Sequence, residues 1–273
     1  MLGSVFSSYY AWSGRGEPMN HCAVNVALYS RRGNRWAMTE RGKRDVFVSE
    51  RALAIGPSHM RWDGGALTIE IDETTCPLPS RIKGMVRLTP AAMTRQAFTL
   101  DDRGQHHWWP IAPEAHIEVS MTRPGVQWAG QGYFDMNRGS APLEAAFRNW
   151  SWSYARLEDR AVLFYDTEQK DGAARRIAAS IDATGQITPL EPPPVARLPR
   201  TRWMMRRVTR ADPGHTPRVL RSLEDTPFYA RSIVATRIFG ETAVGMHEQL
   251  NLDRLAHPLV RVMIPFRNPR SWR

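Results

Sequence analysis

The sequence predicts a mainly β protein, a sandwich or barrel of short antiparallel strands with few helices. Apolar and polar residues alternate, turn signals recur at short intervals, and 3.6-residue periodicity is scarce. In chain order, His21 and Cys22 start the apolar run 23–29, which reads as a buried strand. Leu67-Thr68-Ile69-Glu70-Ile71-Asp72 alternates after the turn Asp63-Gly64-Gly65. Residues 85–88, 116–119 and 125–134 read as further strands, as do 161–165 and the pair 176–181 and 186–187 around Ala183-Thr184-Gly185. Residues 143–147 and 250–262 are the best candidates for short helices, and Pro192-Pro193-Pro194 is a rigid connector.

Composition narrows the class. Of 273 residues, 42% are hydrophobic and 23% charged, which supports a packed core and argues against wholesale disorder. No run of eighteen apolar residues occurs, so no spanning helix is expected. The two cysteines, Cys22 and Cys76, are too few for a disulfide scaffold and are expected as thiols. The start of the chain shows no basic region followed by an apolar core, so a cytoplasmic location is expected. Charge is uneven: residues 193–273 hold 15 Arg and 6 acids, a net of +9 out of the +10 of the whole chain. No helix-turn-helix, zinc-finger or RNA-recognition signature accompanies it, so nucleic acid is not expected. Peripheral contact with an anionic membrane surface is.

Several chemistries have no signature. There is no G-x-S-x-G elbow, P-loop or H-E-x-x-H, and Gly130 and Gly132 lack the third glycine of a dinucleotide loop. His106, His107 and His116 have no carboxylate or cysteine at a metal-ligand spacing. Neither a metal nor a cofactor is expected.

Residues 104–135 are unusual. His106, His107, Trp108, Trp109 and Pro110 are followed by Trp128, Gly130, Gly132, Tyr133, Phe134 and Asp135. On extended strands alternate side chains share a face, so Tyr133 groups with Asp135 and His106 with Trp108. Two strands can thus offer one cavity an acid, an imidazole, a phenol and an indole, and the glycines would let a ligand or another backbone approach. The bland alternative is a tryptophan-rich core in which Asp135 caps a turn and His106 is exposed. Trp12, Trp36, Trp62, Trp150 and Trp152 are expected in the core or in the lining of a tunnel. His247 and Glu248 suggest a second acid/base pair, but neighbours on a strand face opposite ways.

Blocks along nearly the whole chain resemble one family. They are Gly3-Ser4-Val5-Phe6, Tyr9-Tyr10-Ala11-Trp12-Ser13, His21-Cys22-Ala23-Val24-Asn25-Val26-Ala27-Leu28-Tyr29 and Arg35-Trp36-Ala37-Met38-Thr39-Glu40-Arg41. Further on are His107-Trp108-Trp109-Pro110-Ile111-Ala112-Pro113, Gly132-Tyr133-Phe134-Asp135, Pro142-Leu143-Glu144-Ala145-Ala146-Phe147-Arg148 and Pro265-Phe266-Arg267-Asn268-Pro269-Arg270. Together they resemble the carotenoid 1,2-hydratases, or hydroxyneurosporene synthases, of phototrophic bacteria. The resemblance implies two lipocalin-like β-barrel or sandwich domains, taken here as residues 1–140 and 141–273. It also implies cofactor-independent addition of water to the terminal C1–C2 double bond of an acyclic carotene of the neurosporene or lycopene type. The family's functional residues fall on His106, Trp108, Tyr133 and Asp135, the four grouped by the strand faces. Asp135 is then expected as the acid that protonates C2, with the ring faces of Trp108 and Tyr133 on the C1 cation. A neutral His106 is expected to orient the water or to hold Asp135. A non-catalytic carrier of a carotenoid or another hydrophobe is the alternative, and a buried ionisable Asp135 would discriminate against it.

Overall fold

The computed structural model describes residues 1–30 and 33–271. It is mainly β with a few short helices, as the alternation predicts. Strands β1 (Cys22–Leu28) and β2 (Arg35–Arg41) form an antiparallel pair. Then come β3 (Val46–Val48), β4 (Ala52–Ile55), β5 (Ser58–Trp62), β6 (Leu67–Thr74), β7 (Arg81–Pro90), β8 (Phe98–Thr99), β9 (His106–Arg123) and β10 (Val126–Gly139). Their sheet is ordered β10-β9-β7-β6-β5-β4-β3, with β8 against β9. Next are β11 (Phe147–Arg156), β12 (Arg160–Gln169), β13 (Ala174–Asp182) and β14 (Ile187–Pro189). A separate pair, β15 (Val195–Leu198) and β16 (Arg207–Arg210), precedes β17 (Arg218–Asp225), β18 (Tyr229–Ile238) and β19 (Glu241–Asn251). The second large sheet is ordered β14-β13-β12-β11-β19-β18-β17.

Neither large sheet closes into a barrel, which corrects the barrel half of the expectation. In the second sheet the edges explain it. β14 has three residues, ends at Pro189 and runs into the triple proline, none of which can donate to another ladder. At the other edge β17 pairs with β18 through two register shifts, which twist a strand away from further pairing. The helix expected over 250–262 is two short ones, Leu252–Ala256 and Pro258–Met263. Pro258 holds the preceding His257 in extended backbone, so the helix stops there. No helix among the described residues is long and apolar enough to cross a membrane.

The chain packs as two compact units that interleave in sequence. The first takes residues 1–90, 115–132 and the end of the chain from Arg261. Its core includes Val26, Ala37, Ile71, Ile82, Val119 and Met121. A buried polar network lies beside it: Glu40, on β2, accepts from His21 Nδ1 at 2.8 Å and from Arg270, and Arg41 is bidentate on Glu73 at 2.8 and 3.1 Å. The second unit takes residues 91–114 and 133–260, with a core of Ala155, Leu157, Val162, Phe164, Ala178, Ile238 and Ala243. The division into lipocalin-like domains 1–140 and 141–273 remains a proposal.

Candidate active site

Three of the four expected residues converge in the second unit. Asp135, on β10, accepts on one oxygen, Oδ2, from Trp108 Nε1 at 2.7 Å and from the Tyr133 hydroxyl at 3.0 Å. Period-two alternation carries Tyr133 and Asp135 to one face of β10, as expected. Trp108 is fully buried on β9; Phe98, its partner on β8, stacks on the indole at 5.4 Å and Tyr165 tilts against it at 5.2 Å. The indole is thus held edge-on, its N–H aimed at the carboxyl. That geometry corrects the expectation of a ring face presented to substrate.

Burial pushes the Asp135 carboxyl up to about 6. The Trp108 and Tyr133 hydrogen bonds and Arg231 pull the other way, while the charge of Glu248 adds to the rise. Desolvation wins, because two neutral donors do not replace the hydration a carboxylate loses. The Tyr133 phenol is pushed well above its ordinary range, first by burial and then by Asp135, so it stays a donor.

His106 lies elsewhere. It is buried on the same face of β9 as Trp108, yet its Nδ1 meets Asp101 Oδ2 at 2.9 Å and its Nε2 meets the Ala141 carbonyl at 2.9 Å. Both ring nitrogens are therefore engaged away from Asp135. Asp101 also accepts from the backbone N–H groups of Gln105 and His106. Burial pushes the Asp101 carboxyl up, but the His106 ring and these N–H bonds outweigh it and hold it low. A Cβ at Gly139 would sit 2.6 Å from His106 Cδ2, so the end of β10 needs glycine for this ring to fit. Gly132 serves packing as well, facing Ile117, and is no ligand cradle.

The wall beside Asp135 comes from the second sheet. Trp150, Trp152 and Tyr154 alternate along one face of β11, and Tyr133 packs on Trp152 and Tyr154 with ring centroids 5.2 and 5.0 Å away. Directly opposite Trp152 stand Tyr165 on β12 and Glu248 on β19. Glu248 faces Arg231 on β18, whose Nε and Nη2 both reach its Oε1 at 2.8 Å. His247, its neighbour, faces the other side of the sheet and hydrogen-bonds the Val208 carbonyl at 2.7 Å; burial depresses its pKa to about 4. The two do not form an acid/base pair, as strand alternation dictates.

Sequence reasoning missed Asp101, Tyr165, Arg231 and the nearness of Glu248 to Asp135. Asp101 has a local signal, an acid before the Gly104 turn that leads into His106. The others become neighbours through strand pairing, which has none. No group of three His, Cys, Asp or Glu able to hold a metal occurs among the described residues.

The chain is 50% identical over 274 residues to an acyclic carotenoid 1,2-hydratase of Thiocapsa roseopersicina, covering 99% of this chain and 68% of that protein. It is 46% identical over 270 residues to the acyclic carotenoid 1,2-hydratase of Cereibacter sphaeroides, covering 98% and 96%. Among solved structures, an AttH protein from Nitrosomonas europaea superposes with a TM-score of 0.57 at 15% identity over 83% of this chain and 80% of that one, a likeness of lipocalin-like fold. The family model for carotenoid hydratase CrtC matches residues 1–273. On the strength of that full-length match, the chain belongs to the carotenoid hydratase family.

Proposed function

We propose that this protein is an acyclic carotenoid 1,2-hydratase, a hydro-lyase that adds water across the terminal C1–C2 double bond of a neurosporene- or lycopene-type carotene. One observation carries the mechanism: Asp135 is buried with both protein donors on Oδ2, and this desolvation pushes its carboxyl up to about 6. A neutral carboxyl accepts hydrogen bonds through its carbonyl oxygen, so Oδ2 is the carbonyl and Oδ1 carries the proton. An alkene is a poor base, and a carboxyl that keeps its proton up to about pH 6 is far better suited to protonate it than an ordinary one.

The Oδ1 proton passes to C2, the C1=C2 electron pair forms the new C–H bond, and tertiary C1 becomes cationic. Trp108 N–H and Tyr133 O–H then bond a carboxylate instead of a neutral acid. Hydrogen bonds to a charged group are about twice as strong as neutral ones, so both stabilise the state after transfer more than the one before it. The rings of Tyr133, Trp152 and Tyr154 form an electron-rich wall for the cation, at about 2 kcal/mol for a desolvated contact. Water adds to C1 and gives a tertiary alcohol. His106 supports the site through Asp101 and the Ala141 carbonyl, and in this reading no cofactor takes part.

The substrate is lipid-soluble, and the net +9 of residues 193–273 suits an anionic surface. The exposed Val262, Met263 and Phe266 add apolar contact, so peripheral association at the cytoplasmic face of a membrane belongs to this reading.

Asp135→Asn keeps the size and removes the proton. The expected result with lycopene in detergent is a loss of at least about a hundredfold in alcohol formation, with thermal unfolding near wild type. Substantial turnover by a folded Asp135→Asn protein removes Asp135 as the acid.

A further inference from the structure

The polyene has no hydrogen-bonding group, yet the aromatic wall contains one that is unsatisfied. Trp152 is 8% exposed and its indole N–H has no partner. An orphaned buried donor costs about 1–3 kcal/mol, and a hydrocarbon in the site cannot relieve it. The other reactant can. Trp152 packs against Tyr133, which bonds the acid, so this N–H belongs to the wall on which the cation forms. Opposite it on β19 is Glu248, and directly opposed residues of an antiparallel pair hold their Cβ atoms about 4.5–5.5 Å apart. Arg231 Nε and Nη2 both reach Glu248 Oε1 at 2.8 Å, and Oε2 is the oxygen to which the proton is assigned.

We propose that Trp152 and Glu248 bind the water that attacks C1, the indole N–H donating to its oxygen and the carboxylate accepting one of its protons. The inference rests on the hydratase reading and adds a separate set of residues for its second half. Once Asp135 has protonated C2, a lone pair of the water forms the C1–O bond. One O–H bond breaks, and its proton goes to Glu248 Oε2. The alcohol leaves, and the proton returns from neutral Glu248 to the Asp135 carboxylate through solvent, so one water is consumed and no net proton. Arg231 is a positioning residue that keeps Glu248 oriented. If no water is held at C1, the cation can return its C2 proton to Asp135 and revert to the alkene.

That reversal supplies the test. Wild type, Trp152→Phe, Glu248→Gln and Asp135→Asn are incubated with lycopene in deuterated water, and both the alcohol and the deuterium in recovered lycopene are measured. Trp152→Phe and Glu248→Gln are expected to lower alcohol formation by roughly tenfold to a hundredfold. Their recovered lycopene is expected to gain deuterium at least as fast as with wild type, because protonation survives and capture fails. Asp135→Asn is expected to show neither product nor exchange. Glu248→Asp keeps the base and is expected to recover part of the alcohol, which also covers a Glu248→Gln protein that does not fold. Hydration at the wild-type rate in both wall variants overturns the proposal, as does a parallel fall of exchange and hydration. A wild type that neither hydrates nor exchanges lycopene overturns the hydratase reading and this proposal with it.

Discussion

At the scale of single residues, the site turns on how the Asp135 proton is held. In the proposed mechanism the acid form is the active one, and burial pushes the group up to about 6, so activity is expected to be full below that pH and to fall as pH rises through it. Trp108→Phe removes a donor that favours the carboxylate. The fall is therefore expected at higher pH than in wild type, while the plateau rate at low pH drops by roughly tenfold to a hundredfold, because the product carboxylate loses a charge-assisted bond. Rate–pH profiles of both proteins check this; an unmoved limb would mean that the indole only packs. The same reasoning shows what was legible. That Tyr133 shares a face with Asp135, and His106 with Trp108, follows from side-chain alternation; that Trp108 reaches Asp135 follows only from the folded strands. That the indole presents its N–H edge was not legible either, because ring orientation was set by Phe98 and Tyr165 packing on its faces.

At the scale of elements, a buried staple connects the turn before β9, the start of β9 and the segment after β10. Asp101 accepts from two backbone N–H groups and from the His106 ring, and His106 Nε2 reaches the Ala141 carbonyl. Asp101→Ala leaves His106 buried without its carboxylate and is expected to lower stability by about 3–5 kcal/mol. His106→Ala is expected to lose activity together with stability, whereas Asp135→Asn is expected to lose activity at near-normal stability. Denaturant midpoints beside turnover rates distinguish the two patterns, and a His106→Ala protein of wild-type stability without activity would return His106 to the chemistry. The sequence placed His106 on the right face of the right strand. Its partners lie on loops that only the folded turns bring to it.

At the scale of the whole molecule, the net +9 of residues 193–273 makes the proposed membrane contact testable. Co-sedimentation is expected to be stronger with anionic than with neutral liposomes, and the difference is expected to shrink as salt is raised toward about 1 M, where the screening length is near 3 Å. Equal binding to both lipids at low salt would discard the membrane contact. Because most of the excess charge is arginine, with only three lysines in the chain, it persists at every pH at which the enzyme works.

Strand periodicity, turn chemistry and composition by themselves determined the β class, half the strands of the first large sheet, three of the seven of the second, and which side chains share a face of β9 and of β10, because each depends on the chain within a few positions. The tertiary structure decided what is non-local. It left both sheets open and sent the His106 bonds to Asp101 and Ala141. It also set Glu248 opposite Trp152 from about a hundred positions away. Register and burial are properties of paired strands, and a carboxyl acquires a shifted proton affinity only once those pairings have taken water from around it.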